Sequence, residues 1–159
     1  MPGRILVVDD ERLFRDMYRD ALSSRGYEVR TASSGPEALA LISSDRADLL
    51  VTDLRMPLMD GIQLVEEALR LDPSMEAIAV TAADDLPTAV RAMQVGCADF
   101  LVKPVEEERL AQSVARALTR ARVRREHARL LDENLEILRS QEGWAESGRH
   151  EARLVARRP

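Results

Sequence analysis

Four short apolar segments of this sequence end in polar side chains that can carry chemistry. The segments are ILVVDD (residues 5–10), LLVTD (49–53), AIAVT (77–81) and DFLVKP (99–104). They bring the carboxylates of Asp9, Asp10 and Asp53, the hydroxyl of Thr81 and the ammonium of Lys103. Parallel α/β sheets bind ligands beyond the carboxyl ends of their strands. A sheet that placed these segments side by side would therefore gather all five groups.

The combination of groups favours phosphoryl-transfer chemistry. Neighbouring strands lie about 4.8 Å apart, so Asp9, Asp10 and Asp53 converge if the first and third segments pair. Converging carboxylates repel one another and take up protons unless a cation is present. Mg²⁺ prefers oxygen ligands and commonly binds through one or two carboxylates plus phosphate. Lys103 suits a phosphate oxygen and Thr81 is a hydroxyl donor, which completes a set suited to a carboxylate nucleophile.

The first 104 residues alternate short apolar runs with amphipathic stretches, which predicts an α/β fold with a parallel sheet. The predicted strands are residues 5–8, 27–32, 49–52, 77–80 and 100–102. The predicted helices are residues 12–25, 36–43, 61–71, 86–95 and 105 to about 141. We expect Gly26 to end the first helix, and Asp84 or Asp85 to cap the fourth.

Composition limits the class of protein. Hydrophobic residues make up 45% and charged residues 32% of 159 residues, as in a soluble globular protein. A single cysteine, Cys97, excludes an internal disulfide, and two histidines disfavour a zinc site. No apolar run approaches the roughly 20 residues that cross a bilayer, and no signal peptide is visible. We therefore expect a cytoplasmic protein with no membrane contact.

The sequence resembles the receiver domain of two-component response regulators. The motifs VVDD, TDLRMPLMDG, VTA and DFLVKP match that family's strand-end motifs in order, and the resemblance covers residues 4 to about 120. It implies a (βα)5 doubly wound parallel sheet with strand order 2-1-3-4-5. It also implies a signal-relay protein rather than a conventional enzyme, with a histidine kinase or phosphotransfer protein as its partner.

The resemblance also assigns the acidic residues. It implies that Asp53 accepts a phosphoryl group from a phosphohistidine. Asp9 and Asp10 would hold Mg²⁺ together with Asp53 and the backbone carbonyl of Arg55. The resemblance implies that the side chains two residues after Asp53 and two after Thr81 govern how water reaches the acyl phosphate. Arg55 is long and cationic, and Ala83 offers nothing to orient a water molecule. We therefore predict slow autodephosphorylation.

The remaining assignments concern the switch. The resemblance implies that Thr81 and Lys103 contact the phosphoryl group and that Phe100 is the switch aromatic, which turns inward as Thr81 moves. Phe100 as an ordinary core residue is the alternative. A cis bond between Lys103 and Pro104 is also implied.

The last predicted helix is too long for one such domain. Its apolar positions alternate steps of four and three, which is a heptad seam interrupted by a single arginine: Leu110, Val114, Ala117, Ala121, Arg124, Ala128, Leu131, Leu135 and Leu138. We expect the first turns to pack on the sheet and the later ones to meet a partner helix, forming a homodimer. The predicted divisions are a receiver domain (1–120), a helical extension forming a coiled coil (121–142) and a flexible tail (143–159). A solvated single helix is the alternative.

The sequence leaves two alternatives to a phosphorylation-activated relay. The chain could be the N-terminal fragment of a larger transcriptional or cyclic-dinucleotide regulator. A Mg²⁺-dependent phosphatase with Asp53 as nucleophile is less favoured, because such enzymes carry a second acid where this chain has Arg55. Residues 1–104 hold 11 Lys+Arg against 18 Asp+Glu, whereas residues 105–159 hold 12 against 10. A solvated helix face explains this asymmetry, and direct DNA binding is not expected.

Overall fold

The computed structural model describes the backbone of residues 3–156 and the side chains of residues 3–142. Strands and helices alternate along the whole described chain. In order they are β1 (Arg4–Val8), α1 (Arg12–Ser23), β2 (Glu28–Ala32), α2 (Gly35–Ser44), β3 (Leu49–Asp53), α3 (Gly61–Leu71), β4 (Glu76–Thr81), α4 (Leu86–Gln94), β5 (Asp99–Val102) and α5 (Glu107–Ala156). Each predicted strand and helix is present, with boundaries that differ by a few residues except at the end of α5.

The five strands form one parallel sheet in the order β2-β1-β3-β4-β5, which confirms the predicted fold. β1 pairs with β3 and β3 with β4, so that Val8 lies opposite Thr52 and Asp53 opposite Val80. β3 and β4 are buried along their whole length, as expected of continuous apolar runs covered on both faces. β2 is at the edge and is only partly buried, which fits its more polar sequence.

The sheet is covered by a separate apolar cluster on each face. Alternate side chains of a strand point to opposite faces, so Leu6 and Leu50 join one cluster and Ile5 and Val51 the other. The first cluster includes residues of α2, α3 and α4, and the second includes residues of α1 and the start of α5. Both faces are thus closed, and the carboxyl edge of the sheet is left to carry polar groups.

Helix boundaries follow local signals, with one exception. α1 ends at Ser23, and Gly26 has the left-handed φ of 89° that favours glycine, in agreement with the prediction. Asp60 and Gln63 form a capping box at the start of α3. Asp85 occupies the N-cap position of α4, but its side chain makes no capping hydrogen bond. The predicted cap position is confirmed, whereas the Asp85 carboxylate accepts from Arg55 and from the Thr88 hydroxyl.

α5 belongs to two compact units, residues 1–123 and residues 124–159. In the first unit Leu110, Val114 and Leu118 pack in the cluster on the α1 side, as predicted. Ala121, which we placed in the unsupported extension, is only 1% exposed and belongs to the first unit. The part of α5 that packs within the first unit therefore ends a few residues later than predicted.

The second unit keeps its predicted apolar positions uncovered. Leu131, Leu135 and Leu138 are about half exposed. The predicted flexible tail, residues 143–159, lies outside the residues whose side chains the structure describes, although α5 is assigned as far as Ala156. Among the described residues no helix combines the length and the apolar character that crossing a membrane requires.

Candidate functional site

Three carboxylates meet at the carboxyl edge of the sheet. Asp9 and Asp10 follow β1, and Asp53 is the last residue of β3, its neighbour in the sheet. One carboxylate oxygen of each residue lies within 4.8 Å of the others. The structure therefore brings together the acidic residues that the sequence singled out.

The three acids differ in burial. Asp9 is 1% exposed and Asp53 8%, whereas Asp10 is exposed. Burial, and then the negative charge of Asp9, raise the pKa of Asp53, while the nearby ammonium of Lys103 acts in the opposite direction. The backbone N–H of Glu11 donates to Asp9 Oδ1 over 2.9 Å, which holds that carboxylate in place. For Asp53, burial and the repulsion from Asp9 outweigh the attraction of Lys103, so the net shift of its pKa is upward.

Lys103 supplies a positive charge to two of the three carboxylates. Its Nζ donates to Asp9 Oδ2 over 3.0 Å and to Asp53 Oδ2 over 3.2 Å. Burial alone would lower the pKa of Lys103, but the hydrogen bond to Asp9 and the charge of Asp53 outweigh it, and the pKa is raised. The peptide bond from Lys103 to Pro104 is cis, as expected.

Thr81 ends β4, the neighbour of β3, and the loop after β3 adds a backbone contact to Asp53. Thr81 ends β4, is 3% exposed, and its Oγ1 donates only a long 3.4 Å hydrogen bond to the Ala82 carbonyl. The backbone N–H of Arg55 donates to Asp53 Oδ1 over 3.3 Å. Phe100 lies on β5 beside Ala79 of β4 and is partly buried against the cluster formed with α2, α3 and α4.

An ion pair beside the site was missed by sequence reasoning. Arg55 Nε lies 2.6 Å from Asp85 Oδ2, and Thr88 Oγ1 donates to Asp85 Oδ1 over 2.6 Å. The hydrogen bond from Arg55, followed by that from Thr88, lowers the pKa of Asp85 to about 2. The sequence identified both Arg55 and Asp85 for other reasons, and nothing in their spacing connects them.

Two further residues near the site were not recognised as functional. The ring of Phe14 lies beneath Lys103, with Nζ 4.1 Å from the ring centroid. Gly61 approaches the site so closely that a Cβ atom there would lie 2.2 Å from the Asp53 carbonyl oxygen. Phe14 had only a helical apolar position as a signal, and Gly61 only its place in the loop after Asp53.

The donor set fits a small hard cation. The three carboxylates offer only oxygen, and one ammonium leaves the cluster with an excess of negative charge. Burial first, and then the negative charge of Asp9, raise the pKa of Asp53. A divalent ion that prefers oxygen ligands would relieve the repulsion, which is the chemistry expected of Mg²⁺.

Comparisons with known proteins agree with this arrangement. The family model for the response regulator receiver domain matches residues 5–115. The C4-dicarboxylate transport transcriptional regulatory protein DctD of Rhizobium meliloti (strain 1021) is 39% identical over 89% of this chain and 29% of its own length. The response regulator MprA of Mycolicibacterium vanbaalenii is 41% identical over 76% of this chain and 52% of its own length.

Solved structures show the same likeness. The crystal structure of NtrX from Brucella abortus aligns with a TM-score of 0.77 and 34% identity, covering 82% of this chain and 30% of that one. A response regulator receiver domain protein from Clostridium thermocellum aligns with a TM-score of 0.72 and 32% identity, covering 76% of this chain and 98% of that one. The chain spans between about a quarter and about half of the length of DctD and MprA. With its strand order, its acidic cluster and these matches, the chain belongs to the response regulator receiver domain family of two-component signalling.

Proposed function

We propose that Asp53 is the phosphoacceptor of this receiver domain and that a histidine kinase or a phosphotransfer protein is its donor. The observation that carries the proposal is the meeting of three carboxylates with one ammonium at the carboxyl edge of the sheet. Asp53 is 8% exposed and accepts a hydrogen bond from Lys103. Asp9 also accepts from Lys103 but is more deeply buried. Among the described contacts, Asp10 makes no hydrogen bond to Lys103.

The reaction follows from these positions. An Asp53 carboxylate oxygen attacks the phosphorus of a phosphohistidine, and a P–O bond forms as the P–N bond breaks. The imidazole nitrogen keeps the bonding electron pair and takes up a proton from water. Lys103 follows the negative charge onto the phosphoryl oxygens, and Thr81 donates its hydroxyl to one of them.

We assign the cation at the acidic cluster to Mg²⁺. Asp9, Asp10 and Asp53 would hold it, with the backbone carbonyl of Arg55 as a further ligand. When bound, it supplies charge neutralisation between the carboxylates and the incoming phosphoryl group. The residues of the chain contribute the nucleophile, the ammonium and the hydroxyl.

The phosphoacceptor is tested by trapping. The chain is incubated with Mg²⁺ and a small-molecule phosphodonor, reduced with borohydride and analysed by peptide mass spectrometry. We expect the modification at Asp53 in wild type and in Asp84→Asn, an exposed acid close in sequence to the site, and none in Asp53→Asn. Modification of another acid in the wild-type chain would refute the assignment.

We propose that Thr81 and Phe100 relay the phosphoryl signal. Thr81 ends β4 and Phe100 lies in the adjacent strand β5, which supports this proposal. The Thr81 hydroxyl also has only a long hydrogen bond to break before it turns. A fluorinated phenylalanine at position 100 should change its ¹⁹F shift on addition of beryllofluoride and Mg²⁺. The change should survive Thr81→Ser and be absent in Thr81→Ala. An equal response in Thr81→Ala would count against the relay.

Arg55 separates this proposal from the phosphatase alternative. Its guanidinium is paired with Asp85 and supplies no acid for a leaving group. Ala83 offers no polar side chain to orient water. We therefore propose a signal-relay domain whose own enzymatic action is limited to self-phosphotransfer and slow autodephosphorylation. Steady turnover of a phosphomonoester by the wild-type chain would favour the phosphatase instead.

We propose that the signal leaves through α5 by homodimerisation. The support is a row of half-exposed leucines, Leu131, Leu135 and Leu138, which continue the heptad seam beyond the first unit. Light scattering with and without beryllofluoride and Mg²⁺ tests this. The molecular mass should rise to that of a dimer when beryllofluoride and Mg²⁺ are added. A dimer both with and without them would indicate a constitutive coiled coil, and a monomer under both conditions would refute the dimer.

A second candidate function concerns the whole protein. DctD is described as a transcriptional regulatory protein, and the chain matches only 29% of it. We infer that this chain serves as the receiver part of a larger transcriptional or cyclic-dinucleotide regulator, acting in the cytoplasm, with DNA contacts outside residues 1–159. An electrophoretic shift of DNA by the phosphorylated chain itself would contradict that division.

A further inference from the structure

The Lys103 ammonium lies over an aromatic ring as well as against two carboxylates. Its Nζ lies 4.1 Å from the centroid of Phe14, within the roughly 6 Å over which a cation is attracted to a ring face. The Lys103 side chain is only 16% exposed, so little water competes for the charge. Lys103 is also the only lysine of the sequence.

The Lys103 ammonium has one more N–H donor than the two carboxylates use. An ammonium has three N–H donors. Two of them are directed to Asp9 and Asp53, and no third acceptor for Nζ occurs among the described side chains. The face of Phe14 presents the negative side of its quadrupole to the same ammonium. The ammonium is therefore surrounded by two anions and one ring.

The ring is itself held in place by a second aromatic residue. Phe14 and Tyr18 lie one turn apart on α1 and stack with centroids 6.1 Å apart and an interplanar angle of 27°. Tyr18 is buried, and within residues 3–142 its hydroxyl has no hydrogen-bond partner. Since an unpaired buried hydroxyl is unfavourable, the useful part of Tyr18 at this place is its ring.

We propose that Phe14 is a positioning residue for phosphoryl transfer, and that its ring face, backed by Tyr18, holds the Lys103 ammonium over the phosphoacceptor. This inference rests on the proposed function and deepens it. The physical reason lies in the movement that the reaction demands. Lys103 must shift from a carboxylate oxygen of Asp53 to a phosphoryl oxygen. A fixed hydrogen-bond acceptor would resist that shift, whereas a ring face attracts the cation with little directional preference.

The contact is first tested without any phosphorylation. Protein labelled with ¹³C-lysine gives one set of Hε signals because Lys103 is the only lysine. Ring current from Phe14 should move the Hε signals upfield of those of an unstructured lysine. Phe14→Tyr should keep the upfield shift and Phe14→Leu should lose it. An upfield shift that persists in Phe14→Leu, or is absent in wild type, overturns the contact.

The functional role is tested with a phosphoryl mimic. Phenylalanines carrying one, two and three fluorines are placed at position 14 alone, and the affinity for beryllofluoride is measured in the presence of Mg²⁺. Fluorination withdraws charge from the ring face at nearly constant size, so the affinity should fall stepwise, by about fivefold or more in total. Leu13→Ala, at an exposed neighbour on α1, should bind as wild type does.

The outcomes separate the two proposals. If wild type fails to bind beryllofluoride, the proposed function is overturned and the role of Phe14 in it is overturned as well. If wild type binds and the fluorinated series binds equally well, only the role of Phe14 is overturned. A stepwise loss with an intact fold, as judged from the amide spectrum, supports the ring face as the feature that Lys103 uses.

Discussion

Replacing Gly61 with alanine should damage both the fold and the site. Gly61 is the first residue of α3, and a Cβ there would lie 2.2 Å from the Asp53 carbonyl oxygen and 2.7 Å from Leu54 Cα. Both atoms belong to the backbone, so no side-chain rotation relieves the contact. The Gly61 N–H also donates to the Leu54 carbonyl over 2.9 Å, and moving the loop would lengthen that hydrogen bond.

The size of the effect follows from these contacts. Overpacking of a tight site costs about 1–3 kcal/mol, and one weakened backbone hydrogen bond adds about 0.5–1.5 kcal/mol. Alanine regains about 0.5–1 kcal/mol over glycine through its helix preference. Together these contributions span about 0.5–4 kcal/mol, and we expect Gly61→Ala to lower the free energy of unfolding by about 2 kcal/mol. Because the clash falls on the peptide of Asp53, beryllofluoride affinity should fall as well.

The assay is urea denaturation followed by circular dichroism, together with beryllofluoride titration in Mg²⁺. Gly26→Ala is the matched control. Gly26 has a φ of 89°, and a Cβ added there would meet no atom within 4 Å, so its replacement brings backbone strain without a clash. It should cost about 1–2 kcal/mol of stability and leave beryllofluoride affinity unchanged. Wild-type stability and affinity in Gly61→Ala would refute the reasoning, and lost stability with normal affinity would refute the displacement of Asp53.

The remaining predictions concern charge, pH and assembly. Because the folded protein raises the pKa of Asp53, the ionised carboxylate disfavours folding at neutral pH. Without Mg²⁺, Asp53→Asn should then be more stable than wild type at pH 7. This gain in stability should shrink as the pH is lowered towards the ordinary pKa of a carboxyl group. Denaturation at several pH values checks the trend, and a gain that grows on acidification would contradict it. The pKa of Asp85 is lowered from 3.8 to about 2, so its contribution is present above pH 4 and lost as the pH falls through 2. In thermal unfolding, Asp85→Asn should be less stable than wild type at pH 7, and the difference should shrink as the pH falls towards and below 2. Arg55→Met should follow the same profile, and a pH-independent difference would rule out the ion pair as the cause. Arg124→Leu should strengthen self-association, because it completes the heptad seam of α5, and Leu131→Asp should weaken it. Sedimentation measures both effects. If neither variant changed self-association, the dimer contact would lie outside this seam. Finally, the phosphoryl group on Asp53 should last well beyond seconds in Mg²⁺, as followed by loss of radiolabel, and a half-life of seconds would refute slow autodephosphorylation.

Local pattern was enough to predict the elements, but it failed where a charge is buried. β4 begins at Glu76, one residue before the predicted start, and Glu76 is only 1% exposed. A sequence pattern excludes a carboxylate from a buried strand, since burying a charge is costly. Arg120 of α5 lies 3.3 Å from that carboxylate and supplies the opposite charge. No local rule connects these two positions.

Asp85 shows the same limit at the site. An aspartate directly before a helix predicts a capping hydrogen bond, because its carboxylate is close to the free N–H groups of the first turn. In the fold, the loop after β3 brings Arg55 against α4, and the charged hydrogen bond to Arg55 replaces the cap. The local preference was correct for the position of the residue and wrong for the use of its side chain.

The sequence by itself determined the sheet, the helices and the acidic cluster, because each strand carries its own polar end and parallel strands in this order bring those ends to one edge. The tertiary structure alone decided which side chains support that cluster. Phe14 lies under Lys103, Gly61 lies against the Asp53 carbonyl, and Arg55 is turned away towards α4. The physical reason is range: strand ends follow from hydrophobic periodicity within a few residues, whereas these contacts depend on how separately formed elements pack.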